Sequence, residues 1–459
     1  MQAPVKAALK SIVGDAHCRD TDGDLVPFSR DATPLFSARP DAVVFPADTR
    51  EVAAVLKLAT RHAIPVIPRG AGSNLCAATV ALRGGIVLAL TRLDQILEIA
   101  PSELLARVQP GVTSSALADA AAREDLLWAP DPGSRTVATI GGTIATNAGG
   151  LRGLKYGVTR DYVLGLEAVL PTGETIRTGG RLHKDVAGYD LTRLLTGSEG
   201  TLAVITEATL ALKPAPHAAS TGIAYFSDLA TAGRAVAAII SDGVLPATLE
   251  FLDQSCIRAV EQFAGLGLRT DAGALLLFGD DGEPHSVAHA IARMSEACSA
   301  QGALEVTTAA QIAEAEALLA ARRCALPALS RLGSLTILED ATVPRPRIAE
   351  MVERIDRTAE HHDLTIATFG HAGDGNLHPT CVIESREDTE AVTRAEHAFK
   401  EIFKAAIELG GTITGEHGVG AAKLPHLSAQ LGPDQMSLLR RVKSAFDPAG
   451  ILNPGKLGS

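Results

Sequence analysis

The sequence predicts an α+β protein with two main domains. Its 459 residues exceed what one ordinary hydrophobic core supports, because chains beyond about 250–300 residues divide into domains. The composition, 46% hydrophobic and 21% charged with 43 glycines and 24 prolines, is typical of a globular protein with many tight turns. Helix and strand patterns alternate along the chain, and their units lengthen after KPAP at 213–216. We therefore expect a mixed α/β domain before that stretch and a domain with an antiparallel sheet after it.

Charge and cysteine usage narrow the class of protein. The net charge is −11, from 42 Lys and Arg against 53 Asp and Glu, without a basic patch, which argues against nucleic acid as a partner. The six cysteines are scattered and form no CxxC pair, which indicates reduced thiols. The N-terminus has no signal-peptide core, and no window holds 18 uninterrupted apolar residues. We therefore expect a cytoplasmic location.

The first domain begins with helix patterns. MQAPVKAALKSIVGDAH has helical apolar spacing, and we expect residues 1–37 to form an N-terminal helical segment. In DTREVAAVLKLATRH, Asp48 and Glu51 predict a capping box, with the helix continuing to about His62. A short buried strand over 64–67 should follow.

The glycine loop PRGAGSN after this strand is not a Rossmann fingerprint. That fingerprint requires strand, GxGxxG and helix, but Leu75 occupies the place of the third glycine after Gly70 and Gly72. The continuation ATVALRGGIVLAL also has strand character. A nucleotide bound here is therefore held by another architecture.

A second glycine segment, DPGSRTVATIGGTIATNAGGLRGLKYG, spans residues 131–157 and contains seven glycines. Such a segment lets backbone amides approach an anionic ligand, and the alternative is a glycine-rich surface loop. The strand patterns YVLGLEAVLPTGETIRTG and GTLAVITEATLALKP follow. Residues 38–213 therefore predict one mixed α/β domain.

The second domain delivers two polar motifs from short strands. Its early units are STGIAYF, TAGRAVAAIISDG, GALLLFG and HSVAHAIARMSEACSAQG, which alternate strand and helix. The helix PRIAEMVERIDRTAEHH then leads through LTIATF to GHAGDGNLHP, and the helix TEAVTRAEHAFKEIFKAAIELGG leads to TITGEHGVG. A compact turn-rich tail, DPAGILNPGK, closes the chain.

GHAGDGNLHP predicts a hairpin with two facing histidines. Asp374-Gly375 is a tight-turn signal, and a reversal there brings His371 and His378 together. Divalent metals bind convergent nitrogens completed by a carboxylate, for which Glu416 of GEHG is the best candidate. The alternative is a pair of structural histidines.

Other candidate residues are less specific. His417, beside Glu416, suits a general base that stands next to a metal without binding it, or else a structural histidine. Of Arg322 and Arg323, one is a candidate for binding a carboxylate with its planar guanidinium group, and the alternative is two surface arginines.

These motifs together resemble a known family. PRGAGSN, GGTIATNAGGLRGLKYG, KDVAGYDLTRLLTGSEGTLAVITEATL, GHAGDGNLHP, GEHGVG and NPGK are similar to FAD-linked oxidases of the vanillyl-alcohol oxidase superfamily, in motif order over roughly residues 30–456. Within it they resemble the D-2-hydroxy-acid branch, which includes D-lactate dehydrogenase, the glycolate oxidase flavin subunit and D-2-hydroxyglutarate dehydrogenase.

The resemblance implies a two-lobed PCMH-type FAD-binding domain over 38–216, a cap domain over 217–430 and a C-terminal segment, 431–459, that returns to the FAD domain. Ser73 stands where many members with covalent flavin have histidine, which implies FAD held non-covalently. The residues implied to line FAD are Arg69, Gly70, Ala71, Gly72, Ser73, Asn74, Pro132, Gly133, Thr139, Gly142, Thr143, Asn147, Gly149, Gly150, Glu199, Gly200, Ile205 and Asn453.

The resemblance also implies a metal-dependent oxidation. His371, His378 and Glu416 match the ligands of a divalent metal, which zinc, manganese or iron(II) would suit, and His417 matches the base. Arg322 matches the arginine that binds the substrate carboxylate, and Asn376 would hold the substrate by a hydrogen bond. The implied reaction is oxidation of a D-2-hydroxy acid, with proton transfer to His417 and hydride transfer to flavin N5.

One departure from the family bears on the substrate. By motif alignment, Leu326 and Leu338 stand where the 2-hydroxyglutarate enzymes have a threonine and a lysine. A second carboxylate buried there without a partner would be costly. D-lactate or a close monocarboxylate is therefore favoured, with glycolate oxidase flavin subunit and D-2-hydroxyglutarate dehydrogenase as alternatives.

Two functions of another class are also compatible with the sequence. One is an FAD-binding subunit without its own substrate site, and the other is a metallohydrolase, which leaves the glycine segments unexplained. The electron acceptor could be a cytochrome, a quinone, an electron-transfer flavoprotein or oxygen, and through it the protein could be peripheral to a membrane. A homodimer is compatible with the sequence, which does not determine the oligomeric state.

Overall fold

The computed structural model describes residues 1–309, 318–320 and 322–459. They form two compact units. Unit 1 comprises Met1–Ala148, Val158–Ala215 and Glu416–Ser459, and unit 2 comprises Gly149–Gly157 and Pro216–Gly415. The end of the second glycine segment thus packs with unit 2, although it lies among residues of unit 1 in the sequence.

The first sheet of unit 1 is a four-stranded sheet with a buried parallel part. Its strands lie in the order Cys18–Arg19, Ala42–Val44, Ile86–Ala89 and Val66–Arg69. The last three run parallel, and their continuous apolar runs suit strands that are covered on both faces. The α-helix after Val66–Arg69 begins only at Ser114, which confirms that no Rossmann helix follows the glycine loop.

The helix Thr49–Arg61 packs on this sheet through residues at helical spacing, Val52, Val55, Leu56 and Ala59. Its N-terminus is where the capping residues predict, because the Asp48 carboxylate accepts the amide of Glu51 at 2.9 Å. The Glu51 carboxylate reaches the amide of Ala47 rather than that of Asp48, so the predicted box closes one residue earlier.

The second sheet of unit 1 has five antiparallel strands. In order they are Ile96–Ala100, Leu105–Val108, Val204–Ala211, Val163–Val169 and Thr175–Gly179. A two-stranded pair joins Leu126–Leu127 to Lys213–Pro214. The α-helices of unit 1 are Ala3–Val13, Asp22–Leu25, Thr49–Arg61, Ser114–Ala122, Ile140–Thr146, Leu191–Leu195 and Leu424–Phe446.

The C-terminal tail returns to the first sheet, as expected. Val66 donates its amide to the carbonyl of Ile451 and accepts the amide of Asn453, both at 2.8 Å. Lys443 is buried and donates to the Thr201 and Leu452 carbonyls. The long helix Leu424–Phe446 that precedes the tail is broken at Gly432, where φ is 72°.

Unit 2 contains one eight-stranded antiparallel sheet, which confirms the predicted frame of the second domain. The strand order is Glu305–Thr308, Ala218–Phe226, Ala274–Gly282, Thr248–Asp253, Thr365–His371, Asn376–Ile383 and Leu335–Leu338, with Ala341–Thr342 also paired to Asn376–Ile383. The described α-helices of unit 2 are Gly153–Tyr156, Leu229–Ser241, Gln254–Ala264, Pro284–Ala300, Ala325–Leu329, Ile348–His361 and Thr389–Glu408. Within the described residues, every helix is too short or too polar to cross a lipid bilayer.

Candidate active site

The two histidines of GHAGDGNLHP lie on one face of a hairpin. Strands Thr365–His371 and Asn376–Ile383 pair antiparallel, with Phe369 opposite His378. Because side chains alternate along a strand, His371 projects on the same side as Phe369 and therefore meets His378 diagonally. The two rings contact edge to face with centroids 5.1 Å apart, and one ring nitrogen of each lies within 4.8 Å of the other. The predicted convergence of the imidazoles is thus observed within unit 2.

Both histidines are buried in a way that suits ligand binding rather than solvation. His371 is 6% exposed and His378 is 3% exposed. The turn between the strands is tightly constrained, since Gly375 has φ of 75° and a Cβ there would lie 2.1 Å from the Val343 carbonyl. Arg345 donates to the Gly373 carbonyl. The turn therefore holds the strand ends in a defined register.

Glu250 orients His371, although it belongs to none of the sequence motifs. Glu250 lies on strand Thr248–Asp253, directly opposite His371 in the register. Its carboxylate, 1% exposed, accepts the Nδ1–H of His371 at 2.7 Å. A carboxylate that holds one ring nitrogen fixes the tautomer and directs the other, Nε2, towards a ligand. A charged residue inside the apolar run TLEFL was the signal available in the sequence.

Arg322 is buried beside the same carboxylate. Its Nε forms an ion pair with Glu250 at 2.8 Å, and its guanidinium lies 4.7 Å from the centre of the Phe369 ring. Among the described residues no acceptor takes a hydrogen bond from its Nη2. The structure thus separates Arg322, which is buried, from its neighbour Arg323, which is half-buried.

Asn376 is held so that its amide group has one defined orientation. Its Oδ1 accepts the hydroxyl of Thr342 at 3.0 Å, which leaves the Nδ2 hydrogens for other partners. A Cβ on Gly415 would lie 2.2 Å from Thr342 Oγ1 and 2.7 Å from Asn376 Nδ2. Glycine at 415 therefore allows the chain to pass close to Asn376.

The approach to GEHG is fixed on the unit 2 side by a buried acid. Asp340, fully buried, accepts the amide of Gly415 at 2.7 Å, and Thr342 and Thr412 exchange backbone hydrogen bonds. Glu416 is the next residue, one peptide bond or about 3.8 Å in Cα distance further along. Glu416 and His417 are half-buried and begin the last segment of unit 1.

On the unit 1 side, Glu199 holds the rest of GEHGVG. Its carboxylate accepts the amides of Val419 at 2.6 Å and Gly420 at 2.7 Å. Burial raises the pKa of Glu199 above its ordinary value, against these two amides and nearby lysines. The Glu199 side chain is thus occupied by backbone, although the family resemblance predicts it at the cofactor.

The first glycine loop, PRGAGSN, is shaped by its own polar side chains. Arg69 donates to Thr79 Oγ1 at 3.1 Å, and Asn74 donates to the same oxygen at 3.0 Å while accepting the Ala78 amide at 2.9 Å. Burial lowers the pKa of Arg69, whose guanidinium covers Gly72, because a Cβ on that glycine would lie 2.2 Å from Nη2.

The second glycine segment lies against the first. A Cβ on Gly70 would be 2.2 Å from Thr139 Oγ1, and that oxygen accepts the amide of Gly142 at the start of helix Ile140–Thr146. Asn147 ends this helix with φ of 50°. The loop carrying Gly197 and Glu199 bonds back to the carbonyls of Ile144 and Ala145.

The C-terminal Asn453 joins these loops. Its Nδ2 donates to the carbonyls of Ala78 and Glu199 at 3.0 and 2.8 Å. Buried Lys456 donates to Asn453 Oδ1, and burial lowers the pKa of Lys456 to about 8. Most of the predicted FAD residues thus meet inside unit 1. Thr143, Ile205 and Pro132 are buried and Gly133 is exposed, whereas Gly149 and Gly150 belong to unit 2.

These arrangements fit the two groups that the motifs predict. In the described part of the chain, the amides of Ala71, Gly72 and Ser73 form no backbone hydrogen bond. The preceding residue, Gly70, lies against Thr139 at the start of helix Ile140–Thr146, and free backbone amides in a glycine loop suit a pyrophosphate. In unit 2, two buried imidazoles, one oriented by a carboxylate, suit a divalent metal.

The comparison with known families agrees with this geometry. Residues 215–457 match the family described as FAD linked oxidases, C-terminal domain, and residues 40–179 match the FAD binding domain family. The chain belongs to the FAD-linked oxidases. FAD is accordingly its cofactor, and it is an oxidoreductase.

Curated relatives cover nearly the whole chain. Glycolate oxidase subunit GlcD of Bacillus subtilis (strain 168) is 49% identical over 453 residues, 99% of this chain and 96% of the relative. D-lactate dehydrogenase of Archaeoglobus fulgidus is 39% identical over 419 residues, 90% of each. p-Cresol methylhydroxylase with substrate bound shares the fold, with a TM-score of 0.83 at 18% identity, over 99% of this chain and 96% of that structure. The predicted family and fold class are therefore confirmed.

Proposed function

We propose that this oxidase uses FAD to convert a small D-2-hydroxy acid to the 2-oxo acid, with D-lactate or a close monocarboxylate as the favoured substrate. The observation that carries the proposal is the buried pair His371 and His378, with Glu250 on the Nδ1 of His371. A hydride-accepting flavin alone does not require such a pair. A substrate that carries neighbouring hydroxyl and carboxylate groups and is bound through a metal does require such a pair of ligands.

The proposed metal ligands are His371, His378 and Glu416. Support for Glu416 is its place directly after Gly415, whose amide is fixed by Asp340 and whose Cα lies against Asn376. Two nitrogens and one carboxylate suit zinc, manganese or iron(II) and leave positions open for substrate. When bound, the ion supplies positive charge that makes a substrate hydroxyl more acidic.

The chain's own residues then have distinct roles. Arg322 binds the substrate carboxylate through its terminal nitrogens, which Glu250 leaves available by pairing with Nε. Asn376 orients the substrate through its Nδ2. His417 takes the hydroxyl proton on a ring nitrogen as the Cα–H bond is broken. FAD supplies the two-electron acceptor when bound.

FAD is proposed to bind non-covalently in unit 1, because Ser73 offers no histidine for attachment. The residues proposed to line it are those of the two glycine segments, with Glu199, Gly200, Ile205 and Asn453. Since the Glu199 carboxylate is taken by the amides of Val419 and Gly420, its own part is to hold the loop.

Glycolate is a second candidate substrate. The relative with 49% identity is a glycolate oxidase subunit, and it matches over 96% of its length. Glycolate is also a small monocarboxylate, and buried Leu338 and half-buried Leu326 offer no charged group to a second carboxylate. Both candidates therefore share the same recognition chemistry.

The test is anaerobic bleaching of the flavin absorbance by a panel of acids, with and without chelator. D-lactate, L-lactate, glycolate and D-2-hydroxyglutarate are compared at equal concentration. D-lactate or glycolate should bleach the flavin quickly, and the chelator should abolish the effect. Fastest bleaching by L-lactate or by D-2-hydroxyglutarate would reject the proposed substrate class. Chelator-insensitive bleaching would reject the metal, and a flavin that no acid reduces would indicate a subunit without a substrate site.

A further inference from the structure

One buried carboxylate in unit 2 contacts two side chains with different proposed partners. Glu250 accepts the Nδ1–H of His371 at 2.7 Å through Oε1, and its Oε2 forms an ion pair with Arg322 Nε at 2.8 Å. The first partner is a proposed metal ligand, and the second is the proposed arginine for the substrate carboxylate. A single carboxylate therefore joins the two recognition elements through non-covalent contacts.

The register of the sheet makes this arrangement rigid. Glu250 and His371 are directly opposed on neighbouring antiparallel strands, so the separation of their Cα atoms is set by the ladder. The guanidinium of Arg322 also lies over the ring of Phe369, 4.7 Å from its centre, and Phe369 is two residues before His371. All three residues are at most 6% exposed, so water cannot replace a lost partner at low cost.

We infer that Glu250 is a positioning residue that couples metal affinity to substrate recognition. By accepting Nδ1–H it presents Nε2 of His371 to the metal, and by pairing with Nε it turns the terminal amino groups of Arg322 away from itself and towards a carboxylate. Loss of this one group should therefore weaken both the binding of the ion and the binding of the substrate. The inference rests on the roles proposed above for His371 and Arg322.

The central variant is Glu250→Gln, which keeps the shape of the side chain. It replaces the charged carboxylate, shared by His371 and Arg322, with a neutral amide that has one acceptor oxygen. Titration calorimetry of the FAD-loaded protein with Zn²⁺ and with Mn²⁺ should show affinity about 10–100-fold lower than for the native protein. KM for the better substrate at saturating metal should also rise about tenfold or more, because an unpaired Arg322 no longer holds its orientation.

Two further variants separate the effect on metal affinity from the effect on substrate recognition. Arg322→Met keeps the Glu250 to His371 contact, so metal affinity should stay within about threefold of the native value while KM rises by about two orders of magnitude. Glu283→Gln is the matched control, because Glu283 accepts from His217 at 2.8 Å in the same kind of pair, but both side chains are at least 70% exposed. It should change neither metal affinity nor KM, as an exposed pair contributes little.

The outcomes distinguish the inference from the function on which it rests. If the native protein binds neither ion, or if His371→Ala binds as tightly as the native protein, the proposed metal site fails. If His371→Ala abolishes binding but Glu250→Gln binds within threefold of native, the coupling inference is overturned and the metal site stands. A change in metal affinity with an unchanged KM also overturns the coupling.

A measurement on the native protein covers the case in which Glu250→Gln does not fold. Protein labelled with ¹⁵N-histidine and loaded with ¹¹³Cd²⁺ should show coupling from cadmium to Nε2 of His371, the signal being assigned by its loss in His371→Ala. Coupling to Nδ1 would contradict the role of Glu250, because that nitrogen is the one its carboxylate occupies.

Discussion

The chemistry available at the candidate site of this oxidase depends on a few buried polar side chains. Two buried imidazoles, a carboxylate behind one of them and a buried arginine lie within a small region of unit 2. Each of these groups would be costly to bury alone. Their mutual contacts, in which the Glu250 carboxylate pairs with both His371 and Arg322, offset that cost.

His417 is the residue whose removal should separate chemistry from binding. His417→Ala should lower kcat by about 10²–10⁴-fold, because a positioned base contributes that much, while FAD content and Zn²⁺ affinity stay unchanged. Dye reduction under saturating D-lactate or glycolate measures kcat. His289→Ala, an exposed histidine on the helix Pro284–Ala300, is the control and should retain full activity. Unchanged turnover in His417→Ala would refute the base assignment.

Gly415 should be intolerant of even a methyl group. Gly415→Ala places a Cβ 2.2 Å from Thr342 Oγ1 and 2.7 Å from Asn376 Nδ2, so Asn376 must move away from its present orientation. KM for the substrate should rise about tenfold, since one hydrogen bond of about 1.5 kcal/mol is lost or misdirected. Steady-state kinetics measures this effect.

The matched substitution is Gly180→Ala, where nothing lies within 4 Å of the new Cβ. It should leave KM and kcat as they are. Equal kinetics for the two alanine variants would show that the close packing of Gly415 on Asn376 has no functional consequence.

At the scale of elements, the sheet of unit 2 is what assembles the site. Neighbouring strands Thr248–Asp253, Thr365–His371 and Asn376–Ile383 contribute Glu250, His371 and His378. The strand Ala341–Thr342 adds Thr342 against Asn376. A shift of one residue in any of these pairings would turn one of these side chains to the opposite face, so the candidate site depends on the register of the strands.

Asp253, which caps a helix in the same region of the sheet, should make the stability of the protein depend on pH. Asp253 caps the helix Gln254–Ala264 and accepts the amides of Cys256 and Thr368, and burial raises its pKa from 3.8 to about 6. Between about pH 4 and 6 the folded state then binds more protons than the unfolded state. Stability relative to Asp253→Asn should fall as pH rises through that window, which urea unfolding at several pH values measures.

The helix-capping residue Asp228 provides a control, because its contribution to stability should change with pH in the opposite direction. Burial raises the pKa of Asp228, but hydrogen bonds from Ser227 and Thr231 outweigh burial and lower it below the ordinary value. The stability that Asp228 contributes is therefore present above pH 4 and lost as pH falls further. If Asp253→Asn and Asp228→Asn show the same trend with pH, burial is not the cause of the Asp253 shift.

At the scale of the whole molecule, the two units should respond to different ligands. Most of the residues proposed to line FAD are in unit 1, whereas two of the three proposed metal ligands are in unit 2. A ligand stabilises the unit that binds it, by about 2.7 kcal/mol at a hundredfold excess over Kd. Since proteins with several domains depart from two-state unfolding, probes of single units are needed.

The single tryptophan provides such a probe for unit 1. Trp128 is buried, donates to Ser114 Oγ at 3.0 Å and contacts the ring of Tyr162. Adding FAD to protein stripped of flavin should raise the midpoint of the Trp128 fluorescence transition by several degrees. Addition of Zn²⁺ alone should shift it less. A Trp128 midpoint that FAD leaves unchanged would argue against binding in unit 1.

Local patterns in the sequence determined much of this protein. The helix start at Asp48, the hairpin of GHAGDGNLHP with its paired histidines, the lack of a Rossmann helix and the antiparallel second domain follow from residue periodicity and from cap and turn chemistry. Motif resemblance added the family and the returning tail. The comparisons confirm the family, and the hydrogen bonds of Val66 with Ile451 and Asn453 confirm the returning tail.

Only the tertiary structure decided which buried groups share a partner. Glu250 precedes His371 by 121 residues, and no spacing rule joins them before the strand order is known. The same holds for Glu199, whose carboxylate binds amides 220 and 221 residues away, and for Gly149–Gly157, which pack with unit 2. Sequence periodicity reports the face on which a side chain lies, whereas the long-range register of strands determines what it touches.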